Sequence, residues 1–474
     1  GIGTLGKSAR EFVDFLDKSG QKYWQMLPVG PTGFGDSPYQ SFSTYAGNPY
    51  FVDLDKLRYE GLVWQEDLDE VIHVDNIEKV DYGRLYYERF KVLRLAFERF
   101  NTEDEDFKNF VEKQAHWLRD YSLFMSIKDH FNGQPWTMWP EEYKRRDKKT
   151  LDKYEKDNIK DINFHRFIQY KFFQQWSELK DYIASKGIQT IGDLPIYVAE
   201  DSSDVWANPE VFQLNEDLKP TFVGGCPPDA FSDDGQLWGN PVYDWDYLEK
   251  TKYQWWVNRL KAAFDIFDCI RLDHFRGFES FWKVPYGDTT AAGGQWETGP
   301  AMKLFSRIKE ELGDLPIIAE DLGFMTEEVY QFRLDSGFPS MKVLQFAFDP
   351  TCESDYLPHN YDDNCVVYTG THDNDTILGW LQNARHDEIE TAKKYFNITD
   401  EEGFNWGLFR GAMTSVAKLA VFQMQVFLWL DNSARMNNPG ILGGNWEWRM
   451  LPHALHDDIA NRLRELTRIS GRLK

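Results

Sequence analysis

Seven short apolar runs, at 23–29, 190–198, 266–272, 315–319, 341–348, 365–369 and 421–430, set the tightest limit on how this chain can fold. Gly, Pro, Asp or a polar cluster bounds each run. Period-2 alternation is weak in them, so they read as strands buried on both faces. Amphipathic helical stretches such as 300–312 and 327–336 separate many of them. Strand, helix, strand in succession implies a parallel sheet. The pattern predicts an α/β chain, a (β/α)8 TIM barrel with one strand unaccounted for and expected ahead of Gly1.

At 474 residues the chain exceeds the usual length of one domain, although large α/β barrels run longer as a single unit. The expected division is a barrel over 1–474 carrying a mainly helical insertion at 50–187 and a loop-rich insertion at 199–250. In the first insertion Tyr86, Phe90, Leu93, Phe97 and Phe100 share one helical face. Phe107, Phe110, Val111, Trp117, Leu118, Tyr121 and Phe124 share a face on the next predicted helix, and 164–183 repeats the pattern. The mixed-charge run 141–161 interleaves both signs and reads as a solvated helix face rather than a binding tract.

Composition narrows the partners. A net charge of −24 argues against nucleic-acid binding through bulk charge and disfavours phosphate-rich substrates. The hydrophobic share of 42% excludes intrinsic disorder. Aromatic residues reach 16%, enough both to fill a core and to line a cleft for the C–H faces of a neutral sugar. Cys226, Cys269, Cys352 and Cys365 lack CxxC spacing, so no metal site or disulfide framework is expected. The longest apolar stretch, 419–430, is interrupted by Gln423 and Gln425 and falls short of the ~20 residues of a membrane span. No signal peptide opens the sequence, and the cytoplasm is the expected compartment.

In a barrel the reactive groups hang from the carboxyl ends of strands, so acids that close the apolar runs are the candidates. Asp273 ends one run, with Arg271 two residues before it and therefore on the same side of the strand. That guanidinium would keep the carboxylate ionised, as a nucleophile requires; the alternative is a structural salt bridge. Glu320 closes the next run, where a second negative group would raise its pKa and suit it to donate a proton. Asp321 reads as a possible helix cap. His372 and Asp373 lie in a polar cluster that could grip vicinal hydroxyls or form an Asx-type turn. Two carboxyls on neighbouring strands can sit ~5–5.5 Å apart, the spacing of a retaining glycosidase. The residues by themselves lead to a carbohydrate-active barrel.

The motifs lead further. Ser-Pro-Tyr-Gln-Ser (37–41), Gly-Asn-Pro-Tyr (47–50), Gly-Asp-Leu-Pro-Ile-Tyr (192–197), Pro-Pro-Asp (227–229), Gly-Gln-Leu-Trp-Gly-Asn-Pro (235–241) and Ser-Ala-Arg-Met-Asn (433–437) occur in order. With Ile-Arg-Leu-Asp-His (270–274), Ala-Glu-Asp (319–321) and Thr-His-Asp-Asn (371–374), the chain resembles the amylomaltases nearly end to end. These are the 4-α-glucanotransferases, or disproportionating enzymes, of the α-amylase clan. The resemblance implies Asp273 as nucleophile, Glu320 as acid and base, and Asp373 as the acid that supports the transition state. It implies that Arg271 and His372 position nucleophile and sugar, that Tyr39, Asp193 and Trp238 line subsites, and that Asn437 stands near the opposite wall. The stretch 225–233 would fold over the glucan. The implied partners are α-1,4-glucans and maltooligosaccharides with glucose as acceptor, and no nucleic acid, membrane, metal or cofactor.

The rival readings are an α-1,4-glucan hydrolase of the same clan and a catalytically silent glucan-binding protein. Two places depart from the family pattern. The apolar strand ahead of Gly-Ile-Gly is absent, which reads as an omission because an open barrel would expose a sheet edge. In the last run Val426 and Trp429 stand where the family usually has Asp and Gly, and bulk at Trp429 bears on packing beneath 433–437.

Overall fold

The computed structural model describes residues 1–33, 35–72, 76–228, 232–323 and 325–473. Its strands are β1 (Tyr23–Gln25), β2 (Gln189–Leu194), β3 (Phe222–Cys226), β4 (Gln236–Pro241), β5 (Cys269–Leu272), β6 (Ser280–Pro285), β7 (Gln295–Thr298), β8 (Ile317–Ala319), β9 (Ser340–Val343), β10 (Cys365–Tyr368) and β11 (Leu419–Val421). They make an α/β fold. One parallel sheet runs β1-β2-β5-β8 and a second runs β11-β10-β9. The two sheets meet where Ala319 N–H donates to Pro339 O at 2.9 Å. Across the other side, Tyr368 OH donates to Gln25 Oε1 at 2.8 Å.

Alternation along the strands explains why both faces are apolar. Ile191, Ile318, Met341, Val343, Val366 and Tyr368, drawn from both sheets, pack into one cluster. Residues of opposite parity, such as Ile270, Leu272, Ile317 and Ala319, join the larger core under the helices. Helices connect the strands, among them Gln254–Ile266, Met302–Leu312 and Glu327–Ser336. This is the helical spacing that the sequence pattern predicts.

Between β1 and β2 the chain is helical, with Tyr82–Arg99, Ala115–His130 and Ile159–Ser185 supplying much of the buried aromatic surface. Buried amides fix this region onto the loops that lead into it. Gln169 exchanges hydrogen bonds with the backbone of Gly47, and Gln175 does so with Asp53. The single helix expected over 107–124 is instead Glu105–Lys113 and Ala115–His130, broken at Gln114. Its backbone leaves helical geometry there while its side chain accepts from the Trp117 indole.

Two further differences carry weight. A third, antiparallel sheet of order β4-β3-β6-β7 lies where no apolar run marks a strand. Glycine and polar residues interrupt β3, β4 and β7, so periodicity does not reveal them. The run 421–430 is not one strand. Strand β11 stops at Val421, Met424–Leu428 is a helix, and Trp429 caps it in the left-handed region at φ 54°. Among the described residues no helix is long and apolar enough to cross a membrane.

Candidate active site

The carboxyl ends of β2, β5 and β8 lie side by side. Register pairs Asp193 with Arg271 and Leu272 with Ala319. Asp273 and Glu320 are the next residues on their strands, and main-chain bonds carry the alignment past the strand ends. Asp273 N–H reaches Leu194 O at 3.0 Å, and Glu320 N–H reaches Leu272 O at 3.1 Å. One guanidinium nitrogen of Arg271 donates to both Asp193 oxygens at 2.8 and 2.9 Å and to Asp273 Oδ1 at 3.2 Å. Tyr39 OH donates to Asp193 Oδ2 at 2.6 Å, which closes that side.

Glu320 is held by main-chain donors. His274 N–H donates to Oε2 at 2.7 Å and Leu322 N–H to Oε1 at 2.9 Å. Its neighbour Asp321 is not a helix cap. Thr326 caps the following helix, while Asp321 accepts from Met341 N–H at 2.9 Å and lies 4.0 Å from Arg333.

The opposite wall follows β10. Asn374 Oδ1 accepts from Thr371 N–H at 2.8 Å while Thr371 Oγ1 accepts from Asp373 N–H at 3.3 Å, so the expected Asx-type turn is instead a turn closed by the Thr371 hydroxyl. Asp373 Oδ1 accepts from Asn437 Nδ2 at 2.7 Å and lies 3.3 Å from His372 Nε2. Arg435 donates to Asp373 O at 2.6 Å and pairs with Asp375. Gln425 Nε2 donates to Ala434 O at 3.0 Å and supports the 433–437 turn from below, with Val426 buried beside it. Trp429 is 39% exposed, so the demand at that position is a left-handed backbone rather than close approach.

Aromatic rings join the walls. Tyr39 stacks on His372 at 5.2 Å between centroids, and Trp446 lies within 5.8 Å of Tyr39. From the antiparallel sheet, Trp238 meets His274 edge-on at 4.8 Å. All nine candidate residues therefore belong to one connected cluster. Sequence reasoning missed four of its members: His274, Arg435, Gln425 and Trp446. The first three lie within or beside the sequence motifs, yet only contacts across the fold reveal what they do. Asp229 of the Pro-Pro-Asp motif, with 230 and 231 of the expected covering loop, falls outside the described residues.

Electrostatics separate the three acids. Burial pushes Asp273 up to about 7, with nearby Asp193 and Glu320 adding to it and Arg271 opposing. The expectation that the Arg271 guanidinium keeps Asp273 ionised does not hold, because burial outweighs that guanidinium and the neighbouring Asp193 and Glu320 add to the burial. Burial also raises Glu320, against the pull of Arg271 and its two N–H donors. Burial thus disfavours the charged form of both carboxyls, and the charge of Glu320 further raises Asp273. Asp373 behaves oppositely. Burial pushes it up, but His372 and Asn437 outweigh that and hold it at about 2. His372 is raised in turn, because Asp373 overcomes the desolvation.

A family profile described as 4-alpha-glucanotransferase matches residues 1–454. The 4-alpha-glucanotransferase of Clostridium butyricum is 53% identical over 475 residues, covering 100% of this chain and 98% of that protein. That of Thermus thermophilus is 47% identical over 485 residues, covering 100% of this chain and 95% of its own length. An amylomaltase from Streptococcus agalactiae, solved in complex with acarbose, superimposes with a TM-score of 0.97 at 40% identity, covering 100% of this chain and 97% of its own.

Proposed function

The chain belongs to the 4-α-glucanotransferase family, a family of transferases, and from that premise we propose how its site moves a glucan segment. Asp273 attacks the anomeric carbon of an α-1,4-glucan while Glu320 protonates the departing glycosidic oxygen. A covalent glucosyl intermediate with inverted configuration results. Glu320, now ionised, takes the proton from the 4-hydroxyl of an incoming glucan or glucose, and attack by that oxygen releases Asp273. Two inversions restore the α configuration. The ionised Asp373 lies where positive charge on the sugar ring and its hydroxyls can be balanced, with Asn437 and His372 orienting it. Arg271, Tyr39 and Asp193 brace the nucleophile, and the Trp238 ring offers a face to a sugar in a neighbouring subsite.

The observation that carries this reading is the alignment of Asp273 and Glu320 on adjacent parallel strands. Such strands lie ~4.8 Å apart, close to the ~5–5.5 Å separation that lets one carboxyl attack while the other donates a proton. Two neighbouring carboxyls that resist ionising together suit one acid and one nucleophile. Transfer in place of hydrolysis requires an acceptor hydroxyl to outcompete water, which aromatic walls and a covering segment favour by excluding water and aligning the acceptor.

We also read the seven parallel strands as members of a (β/α)8 barrel over 1–474, with 50–187 as an inserted helical subdomain and 199–250 as an insertion that covers the substrate. The gathering of side chains from both parallel sheets into one inner cluster supports the barrel. Incubation with pure maltotriose tests the function: a ladder of longer oligosaccharides plus glucose, with total reducing ends nearly constant, is the expected result. Glucose and maltose with matching new reducing ends would instead make the enzyme a hydrolase.

A further inference from the structure

His274 directly follows the nucleophile, and its backbone is left-handed at φ 48° and ψ 47°. A non-glycine residue adopts this conformation at a cost, and the surroundings must enforce it. Here the conformation has a visible product. His274 N–H reaches Glu320 Oε2 at 2.7 Å, and the next N–H, of Phe275, reaches Glu320 O at 2.9 Å. A left-handed residue between two successive N–H groups lets both converge on one partner. The corner therefore grips Glu320 by its side chain and its main chain together.

The imidazole is seated rather than free. Trp238 packs edge-on to it at 4.8 Å. A Cβ placed on Gly277 would stand 2.7 Å from His274 Cδ2, so the ring fills the space that this glycine leaves. Burial, with Arg276 adding to it, pushes the imidazole down to about 3, so it is neutral at working pH and supplies neither a proton nor a charge.

We infer that His274 is a positioning residue for the proton transfer: its left-handed backbone, held by the seat that Trp238 and Gly277 provide, aims a main-chain donor at the carboxylate of Glu320. The inference rests on the reading of Glu320 as acid and base. A donor aimed at a carboxylate favours its ionised form. It therefore offsets the burial of Glu320 and keeps the group able to accept a proton in the second half of the reaction. The charged and titratable groups that act on Glu320 are Arg271, Asp193, Asp273, Asp321 and Tyr356, and a substitution at His274 leaves all of them in place.

The test is a series at this position ordered by tolerance of a left-handed backbone: Gly and Asn, which adopt it readily, against Ala and Val, which do not. Rates on maltotriose are measured across pH. His274→Gly and His274→Asn are expected to stay within about threefold of the parent with the basic limb in place. His274→Val is expected to lose about tenfold or more, with the basic limb moved to higher pH because Glu320 has lost a donor to its charged form. If Val does not fold, Ala supplies that arm. On α-maltosyl fluoride, whose leaving group needs no proton, the loss in glycosylation should largely vanish. Gly and Asn falling as far as Val, or a loss with an unmoved limb, would overturn the inference. Glu320→Gln is run beside the series. Full rate on maltotriose in that variant would show instead that the acid assignment itself is wrong.

Discussion

Replacing Arg271 with Met removes the guanidinium that touches both Asp193 and Asp273 and keeps a side chain of similar length. Arg271 is 4% exposed, and one of its nitrogens serves three carboxylate oxygens within 3.2 Å. Loss of an adjacent opposite charge raises a carboxyl pKa by ~1–3. Asp273 already stands at about 7 in the free enzyme, so the variant's nucleophile should titrate above about 8. The sign follows from the chemistry. Asp273 must be ionised to attack, so the acid limb of kcat/KM moves to higher pH. Below that limb the rate falls about tenfold for each step of one in pH. Breaking a buried ion pair from one side also costs about 3–5 kcal/mol unless a proton restores neutrality. The stability loss should therefore be greatest at alkaline pH, where Asp273 is charged, and smaller in acid. Glucose release from maltotriose followed from about pH 5 to about 9, with thermal unfolding at each pH, reads both effects. A uniform drop with the acid limb unmoved, or a limb displaced to lower pH, would refute the reasoning.

Two further outcomes follow from the opposite wall. The His372–Asp373 pair contributes stability that is fully present below the unfolded histidine value of ~6.5 and lost as pH rises through the raised folded value. On the acid side Asp373 contributes above its unfolded value of ~3.9, and that part is lost as pH falls toward about 2. His372→Gln should therefore lower Tm most near about pH 5–6 and least in alkali, and a gap that widens with rising pH would contradict the pairing. Trp429 holds a left-handed backbone that costs a non-glycine residue ~1–2 kcal/mol, and its ring is largely outside the core. Trp429→Gly should stay within about 1 kcal/mol of the parent or gain stability in chemical unfolding. A loss beyond about 2 kcal/mol would mean that the indole makes a substantial packing contact after all.

The parallel strands were legible because burial on both faces leaves a continuous apolar run, and Asp273 and Glu320 because each directly follows such a run. The same rule failed at 421–430. A short apolar run looks alike as strand or buried helix, and no breaker stands between Val421 and Met424. Strands β3, β4 and β7 escaped notice for the opposite reason: Gly224, Gly225, Gly239 and the polar residues around them carry no periodicity. In the site, local spacing gave the Arg271–Asp273 contact but not the closer Arg271–Asp193 one, whose partners lie 78 residues apart. Asn437 finds Asp373 across 64 residues, a contact that only the fold creates. The role of His274 was hidden for another reason, since it resides in a backbone dihedral that no residue type announces.

The most direct test of the central claim is to trap the intermediate. The Glu320→Gln variant is mixed with α-maltosyl fluoride, quenched in acid, digested with a protease and mapped by mass spectrometry. The fluoride leaves without help, and the missing base slows release of the enzyme-bound sugar. A maltosyl adduct on the peptide that carries Asp273, absent when Asp273 is also replaced by Asn, is the predicted result. An adduct on Asp373 or Asp193, or conversion of the fluoride with no adduct at any quench time, would contradict it.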